Sequence, residues 1–330
     1  MNKPILVTGG AGFIGSHIVD LFDKKNIDYM VLDNLSAGSI ANIPTAVSRN
    51  QFIEGDVKDH ELIKKLINSS SMVIHLASIV GVKNVLANPL ETIETNINSL
   101  KQIAYHCSLE KIPLIYFSTS LVYSSTVEKK DLFNEELELH GLGLHPVSIY
   151  VTTKKTGELI CEFYRERMGL QYIIVRPFNL IGIRQKSESG MVVPSFIKSA
   201  LGNRTINIYG NGQQSRTFSD VKTAVKLFWE LINKKNTYNK IYNLATTENP
   251  VTILELAEKI KNLLNNNIQI NFIPIGEIYG SSYRDVEFRL PSLAKLKKVI
   301  PVWEEKKLEE ILTEIINDEK LKLALNITQL

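Results

Sequence analysis

The run Pro4-Ile5-Leu6-Val7-Thr8-Gly9-Gly10-Ala11-Gly12-Phe13-Ile14-Gly15-Ser16-His17 constrains this chain more than any other segment. Apolar and β-branched residues make a buried strand, spaced glycines follow, and Ile14, Ile18, Leu21 and Phe22 continue as an apolar helical stretch. Strand, glycine turn and helix in that order make a socket for a dinucleotide pyrophosphate. Gly9 permits the tight turn, Gly12 lets backbone approach the phosphates, and Gly15 lets the helix pack close to the sheet. The helix N-terminus then offers unpaired N–H groups and a positive dipole end to the anion.

A second strand, Tyr29-Met30-Val31-Leu32, ends at Asp33, 18 residues after Gly15. A carboxylate there accepts from both hydroxyls of an adenosine ribose and repels a 2′-phosphate, which favours NAD over NADP. The alternation continues through Phe52-Ile53, a helix over His60–Ile67, the strand Met72–Ala77, a long helix from about Pro89 to Cys107, and the strand Pro113–Phe117. Continuous apolar strands separated by helices predict a doubly wound parallel sheet covered on both faces, an α/β fold of Rossmann type. Asp33, Asp56, Ala77 and Thr119 then share one edge, the carboxyl ends of the strands, where ligands of such sheets sit.

With 330 residues the chain is long enough for one large domain and a smaller one. The expected division is a cofactor domain over 1–178, to which about 213–250 returns, and a mainly substrate-binding α/β domain over 179–330. The 38 basic and 35 acidic residues nearly balance, and no basic run interleaves with aromatics, so no nucleic-acid partner is expected. Cys107 and Cys161 form no disulfide framework or metal-ligand pair, and the histidines do not pair at ligand spacings either, so no metal is expected. No signal-peptide pattern precedes the first strand, and no apolar run reaches the roughly 20 residues that span a bilayer. The expected location is the cytoplasm.

Ser148-Ile149-Tyr150-Val151-Thr152-Thr153-Lys154 opens a helix that places Tyr150 and Lys154, four apart, on one face. An ammonium beside a phenol favours the phenolate and lowers a pKa that is about 10 when unperturbed. A tyrosine tuned in this way takes a proton from a sugar hydroxyl while hydride leaves the same carbon.

Taken together, Thr8–His17, Asp33-Asn34-Leu35-Ser36, Gly55-Asp56-Val57, His75-Leu76-Ala77, Asn96, Ser118-Thr119-Ser120, Tyr150 with Lys154, and Arg176-Pro177-Phe178-Asn179 resemble the extended short-chain dehydrogenase/reductases. Within them, the resemblance is to the nucleotide-sugar epimerases and dehydratases, from about residue 4 to beyond residue 300. It implies NAD as cofactor, held by Gly9, Gly12, Phe13, Ile14, Gly15, Asp33, Asn34, Asp56, Val57, Leu76, Ala77, Asn96, Ser118, Tyr150, Lys154 and Pro177. Asp56 and Val57 are placed at the adenine, and Ala77 and Asn96 along the ribose and nicotinamide path. Thr119 would hydrogen-bond the reacting hydroxyl, Tyr150 would be the acid/base, and Lys154 would bind the nicotinamide ribose and tune Tyr150. Asn179, Val193, Tyr209, Arg216, Arg284 and Arg289 join Thr119 as substrate residues, the arginines as clamps for a nucleotide diphosphate. The resemblance also implies a homodimer that pairs the helices at about 89–108 and 148–168.

Relatives that eliminate water or decarboxylate carry acidic residues just after the catalytic threonine, for a second proton transfer. Ser120 and Leu121 stand there in this chain, and leucine moves no proton. The reading that remains is 4-epimerisation of a UDP-hexose: oxidation at C4 to a transient ketone and hydride return to the opposite face. Against it, Tyr283–Arg289 looks like the tail of sugar-nucleotide decarboxylases, and Val80 and Val85 replace polar residues common in hexose epimerases. A nucleotide-sugar 4-dehydrogenase or 4-ketosugar reductase using NAD(P) would employ the same residues. A non-catalytic dinucleotide-binding protein predicts erosion of the Thr119, Tyr150 and Lys154 set, which is intact.

Overall fold

The computed structural model describes residues 3–123, 132–135, 148–187, 190–202, 205–264, 268–279 and 287–325. The strands β1 (Ile5–Thr8), β2 (Tyr29–Asp33), β3 (Phe52–Glu54), β4 (Met72–His75), β5 (Leu114–Phe117), β6 (Tyr172–Pro177) and β7 (Lys240–Leu244) form one sheet in which every pairing is parallel. Its order is β7-β6-β5-β4-β1-β2-β3, so the winding direction reverses between β1 and β4. Such a switch point opens a crevice beyond the strand ends.

The apolar runs have their cause in two-sided burial. Val7, Ile74, Ile115, Phe117, Ile173 and Val175 enter one core cluster, while their alternating neighbours Leu6, Val73, Leu114, Tyr116 and Ile174 enter the cluster on the opposite face. The first cluster is covered by helices α1 (Phe13–Lys25) and α6 (Val221–Ile232), and the second by α2 (His60–Asn68), α3 (Ser99–Glu110) and α4 (Ser148–Met168). Local signals set the helix limits: Asp59 Oδ1 accepts from Leu62 N at the start of α2, and Asp220 Oδ2 from Thr223 N at the start of α6. α1 ends at Asn26, which adopts the left-handed conformation.

A third cluster lies in the second half of the chain. Ile181, Val193, Phe196, Ile197, Ile206, Ile208, Leu256, Ile260, Ile311 and Leu312 pack among α5 (Val192–Leu201), α7 (Ile253–Leu263) and α8 (Leu308–Ala324). Beside it Ile206–Tyr209 pairs with Ile270–Ile273, and a three-stranded sheet joins Val251–Thr252, Ser215–Arg216 and Phe288–Arg289. Among the described residues no helix is long and apolar enough to cross a membrane.

Candidate active site

The carboxyl end of β1 turns at Gly9, whose φ of +72° belongs to the left-handed region. Gly15 answers to a different need: a Cβ there would stand 2.3 Å from the Gly9 carbonyl oxygen, so only glycine lets α1 begin this close to the turn. Gly12, the residue before α1, gives the helix no side-chain cap, and Phe13 and Ile14 begin it partly exposed. The open N–H groups of that first turn are the donors a pyrophosphate requires. A Cβ at Gly9 would approach Ala77 N to 2.7 Å, so Leu76 and Ala77 form the opposite lip of the same cradle. The cradle fits NAD.

Asp33 sits where the adenosine ribose is expected. Its Oδ2 accepts from Ala11 N at 3.0 Å and its Oδ1 from Leu35 N at 2.8 Å. Burial raises its pKa, while these two bonds and Lys186 oppose that shift. Asn34 donates to Asp56 Oδ2 at 3.0 Å and so ties the ends of β2 and β3 together, with Val57 buried beneath.

The predicted long helix after Pro89 is interrupted. A π-helical turn over Glu94–Asn98 lies between Pro89–Ile93 and α3, and it carries the buried Asn96. Single π-turns of this kind mark functional sites. Asn96 Oδ1 accepts from Ser78 Oγ and Ile79 N, each at 2.9 Å, and Nδ2 donates to Thr153 Oγ1 at 3.1 Å. Asn96 therefore fastens the loop after β4 to the helix of Tyr150 and Lys154.

At the end of β5 the Thr119 hydroxyl accepts from Leu121 N at 3.2 Å and hydrogen-bonds the Tyr150 hydroxyl. The sequence expectation of a lowered tyrosine pKa is corrected here: burial pushes Tyr150 up to about 12, and the Thr119 bond offsets only part of that. Lys154 is engaged elsewhere. Its Nζ donates to the Phe117 carbonyl at 2.8 Å and lies 5.1 Å from the centre of the Tyr116 ring. Burial lowers Lys154 to about 7, against the raising influence of Glu158. His75, whose Nδ1 is 2.8 Å from Thr8 Oγ1, is held neutral by burial and by Lys154, with a pKa of about 3.

Two residues without an assigned role in the sequence reading stand directly behind this centre. Glu158 Oε1 accepts from Ser118 Oγ at 2.6 Å and from Arg176 Nε at 2.8 Å, and Oε2 accepts from Arg176 Nη2 at 2.6 Å. The available signals were the fourfold spacing Tyr150, Lys154, Glu158 and a charge inside the otherwise apolar strand Tyr172–Pro177.

On the substrate side, Arg216 and Arg289 are register partners on adjacent strands, so two of the three candidate clamps stand side by side. Arg216 Nη1 donates to the Ser215 carbonyl at 2.8 Å. Asn179 takes a positive φ of 36° and donates to the Thr217 carbonyl at 2.9 Å. Backbone held in that region carries strain of the kind found at ligand clamps. Pro177 lies just before it, partly exposed, and Tyr209 is exposed. The structure does not bring Val193 to this surface, because its side chain is sealed in the third core cluster. Arg284 lies outside the described residues.

Fold and site together define a Rossmann-type dinucleotide enzyme whose threonine, tyrosine and lysine meet at the strand ends. The model of the NAD dependent epimerase/dehydratase family matches residues 5–245, and the chain belongs to that family. NAD is accordingly its cofactor. A UDP-N-acetyl-alpha-D-glucosaminuronate decarboxylase of Bacillus cytotoxicus is 31% identical over 301 residues, 91% of this chain and 92% of that protein. A putative UDP-glucose 4-epimerase of Methanocaldococcus jannaschii is 34% identical over 261 residues, 78% of this chain and 81% of that one. Among solved structures, the UDP-N-acetylglucosamine 4-epimerase of Methanobrevibacter ruminantium, in complex with UDP-N-acetylmuramic acid, superposes with a TM-score of 0.85 at 30% identity. That match covers 97% of this chain and 99% of the other.

Proposed function

We propose that the chain is a nucleotide-sugar 4-epimerase acting on a UDP-hexose, with Tyr150 as acid/base. The observation that carries this reading is Leu121, two residues after Thr119 and packed against the apolar core. A side chain without a transferable proton at that place leaves oxidation and reduction at one carbon as the chemistry the residues support. NAD, when bound, supplies the hydride acceptor. Thr119 orients the C4 hydroxyl, Tyr150 moves its proton, and Lys154, held at the Phe117 carbonyl, is assigned to the nicotinamide ribose. Arg216 and Arg289 hold the diphosphate, and Asn179 turns toward it.

The same reading includes a larger domain for the cofactor, a smaller one for the sugar nucleotide, and a homodimer. Exposed apolar side chains on α3 and α4, among them Leu159 at 64% and Phe163 at 56%, support the dimer. The buried free thiols of Cys107 and Cys161 agree with a reducing cytoplasm.

Decarboxylation is the second reading, favoured by the Bacillus cytotoxicus relative. Incubation with UDP-glucose, UDP-N-acetylglucosamine and the corresponding uronates, without added cofactor, separates the two by NMR. C4-inverted sugar without net NADH supports the epimerase. Loss of the uronate carboxylate as CO2 makes the chain a decarboxylase, and NADH in step with a keto product makes it a dehydrogenase. Tyr150→Phe is expected to lose at least about a thousandfold in kcat while still binding NAD; retained turnover would remove Tyr150 from its role.

A further inference from the structure

The ion pair Glu158–Arg176 is buried, with side-chain exposures of 8% and 3%. Burying two charges costs several kcal/mol, and apolar replacement of such pairs is often neutral or stabilising, so stability alone does not explain it. Its position does offer an explanation. Glu158 follows Tyr150 and Lys154 along one face of α4, while Arg176 is the penultimate residue of β6, next to Pro177. Ser118 Oγ donates to Glu158, and Arg176 Nη1 donates to the Tyr123 hydroxyl at 2.7 Å. Ser118 and Tyr123 are the two ends of the short segment that carries Thr119, Ser120 and Leu121.

The pair is anchored further. Arg176 lies 4.7 Å from the centre of the Tyr123 ring, and the Tyr123 hydroxyl donates to Asn243 Oδ1 at 2.8 Å. Asn243 Nδ2 in turn donates to the Phe133 carbonyl at 2.8 Å, and Asn243 N to Glu135 Oε1 at 2.8 Å. β6, β7, α4 and the segment after β5 thus meet in one hydrogen-bonded knot whose Ser118, Tyr123, Glu158, Arg176 and Asn243 are buried. Fully satisfied networks of this kind rigidify what they join.

We propose that Glu158, through Arg176, is a positioning residue that clamps both ends of the Ser118–Tyr123 segment and so sets Thr119 against Tyr150. This rests on the reading of Thr119 and Tyr150 as the reacting pair. Removing both tethers while leaving the ion pair intact tests it: Ser118→Ala together with Tyr123→Phe. Glu158 Oε1, Arg176 Nη1 and Asn243 Oδ1 each lose a buried partner, so the unfolding temperature is expected to fall by several degrees with unfolding still cooperative. Turnover is read at saturating NAD, because Ser118 belongs to the expected cofactor residues. With the turned-over UDP-hexose, kcat should fall at least tenfold at unchanged KM, and Ser118→Thr, which keeps the hydroxyl, should recover most of the share lost by Ser118→Ala alone. Amide exchange in the protein without substrate should accelerate at least tenfold over residues 118–123 and hold over β1 and β4.

Native kcat in the double variant overturns the proposal. So does faster exchange spread evenly across the sheet, which would mark a purely structural knot. Glu158→Gln, where it folds, must show the same local exchange. If the native protein converts no nucleotide sugar, the functional reading fails, and exchange alone then decides: unchanged protection over 118–123 overturns the clamp, and local loss sustains it.

Discussion

Lys154 directs its ammonium to the Phe117 carbonyl, at 2.8 Å, although it stands one helical turn from Tyr150. The lysine is therefore held by the strand end that leads into Ser118 and Thr119, and its charge is sunk among Tyr116, His75 and Glu158.

A stability change with pH follows from that burial. Lys154 loses its proton at about 7 in the fold and at its ordinary 10.5 once unfolded. Between those values the unfolded chain binds a proton that the folded chain has shed, so stability rises with pH across the window, and the full cost is present below it. Tyr150, pushed up to about 12, acts in the opposite direction only above pH 10. Denaturant midpoints between pH 6.5 and 9.5 should climb in the native protein, by the equivalent of at least about 1 kcal/mol, and climb less in Lys154→Met. Parallel profiles for the two proteins would mean that Lys154 stays charged.

Asp33 is predicted to serve the fold and the cofactor at once. Asp33→Ala leaves Ala11 N and Leu35 N without their acceptor, and Leu35 holds a φ of 60°. A loss of about 1–3 kcal/mol in unfolding free energy is expected. Calorimetry should also show the preference for NAD over NADP shrinking at least tenfold in Asp33→Ser, since the carboxylate that repels a 2′-phosphate is gone. An unchanged preference would place the discrimination elsewhere.

The sheet and its ligand edge were legible because two-sided burial favours apolar or β-branched residues all along a strand, as in Ile5–Thr8 and Leu114–Phe117. The glycines were legible because Gly9 and Gly15 have steric reasons that no other residue satisfies. The π-turn at Asn96 was not legible, since the extra residue per turn is imposed by the contacts of Asn96 with Ser78, Ile79 and Thr153. The direction of Lys154 was not legible either. Helical spacing puts it on the face of Tyr150, but a carbonyl on a strand 37 residues away decides where the ammonium goes. Val193, expected at the substrate, misled for a related reason: which face of its helix turns into the core depends on α7 and α8.

Gly15→Ala should damage binding and stability together. The new methyl group would meet the Gly9 carbonyl at 2.3 Å and Gly10 Cα at 2.7 Å, both backbone, so α1 must move away from the turn. Overpacking of this order costs about 1–3 kcal/mol. NAD affinity is expected to fall at least tenfold, because the helix start that faces the pyrophosphate moves with it. Gly169→Ala is the control: its φ of +73° brings strain, but no atom lies within 4 Å of the added carbon, and NAD affinity should not change.

The proposed dimer is open to a direct test. Tyr105 and Leu109 on α3, and Leu159 and Phe163 on α4, are exposed, and α3 packs against α4 within the subunit. Leu90, on the helix Pro89–Ile93 that also packs against α4, is exposed at 76%. Apolar side chains gathered on one exposed face are the mark of an interface. Two such helices from each of two subunits would close a four-helix bundle. Light scattering on the purified protein at micromolar concentration should therefore give twice the chain mass of 37.2 kDa. Leu159→Glu with Phe163→Glu should halve that mass and leave NAD binding in place, since neither residue lines the cofactor cradle. A native monomer, or a double variant that remains dimeric, would move the interface off these helices.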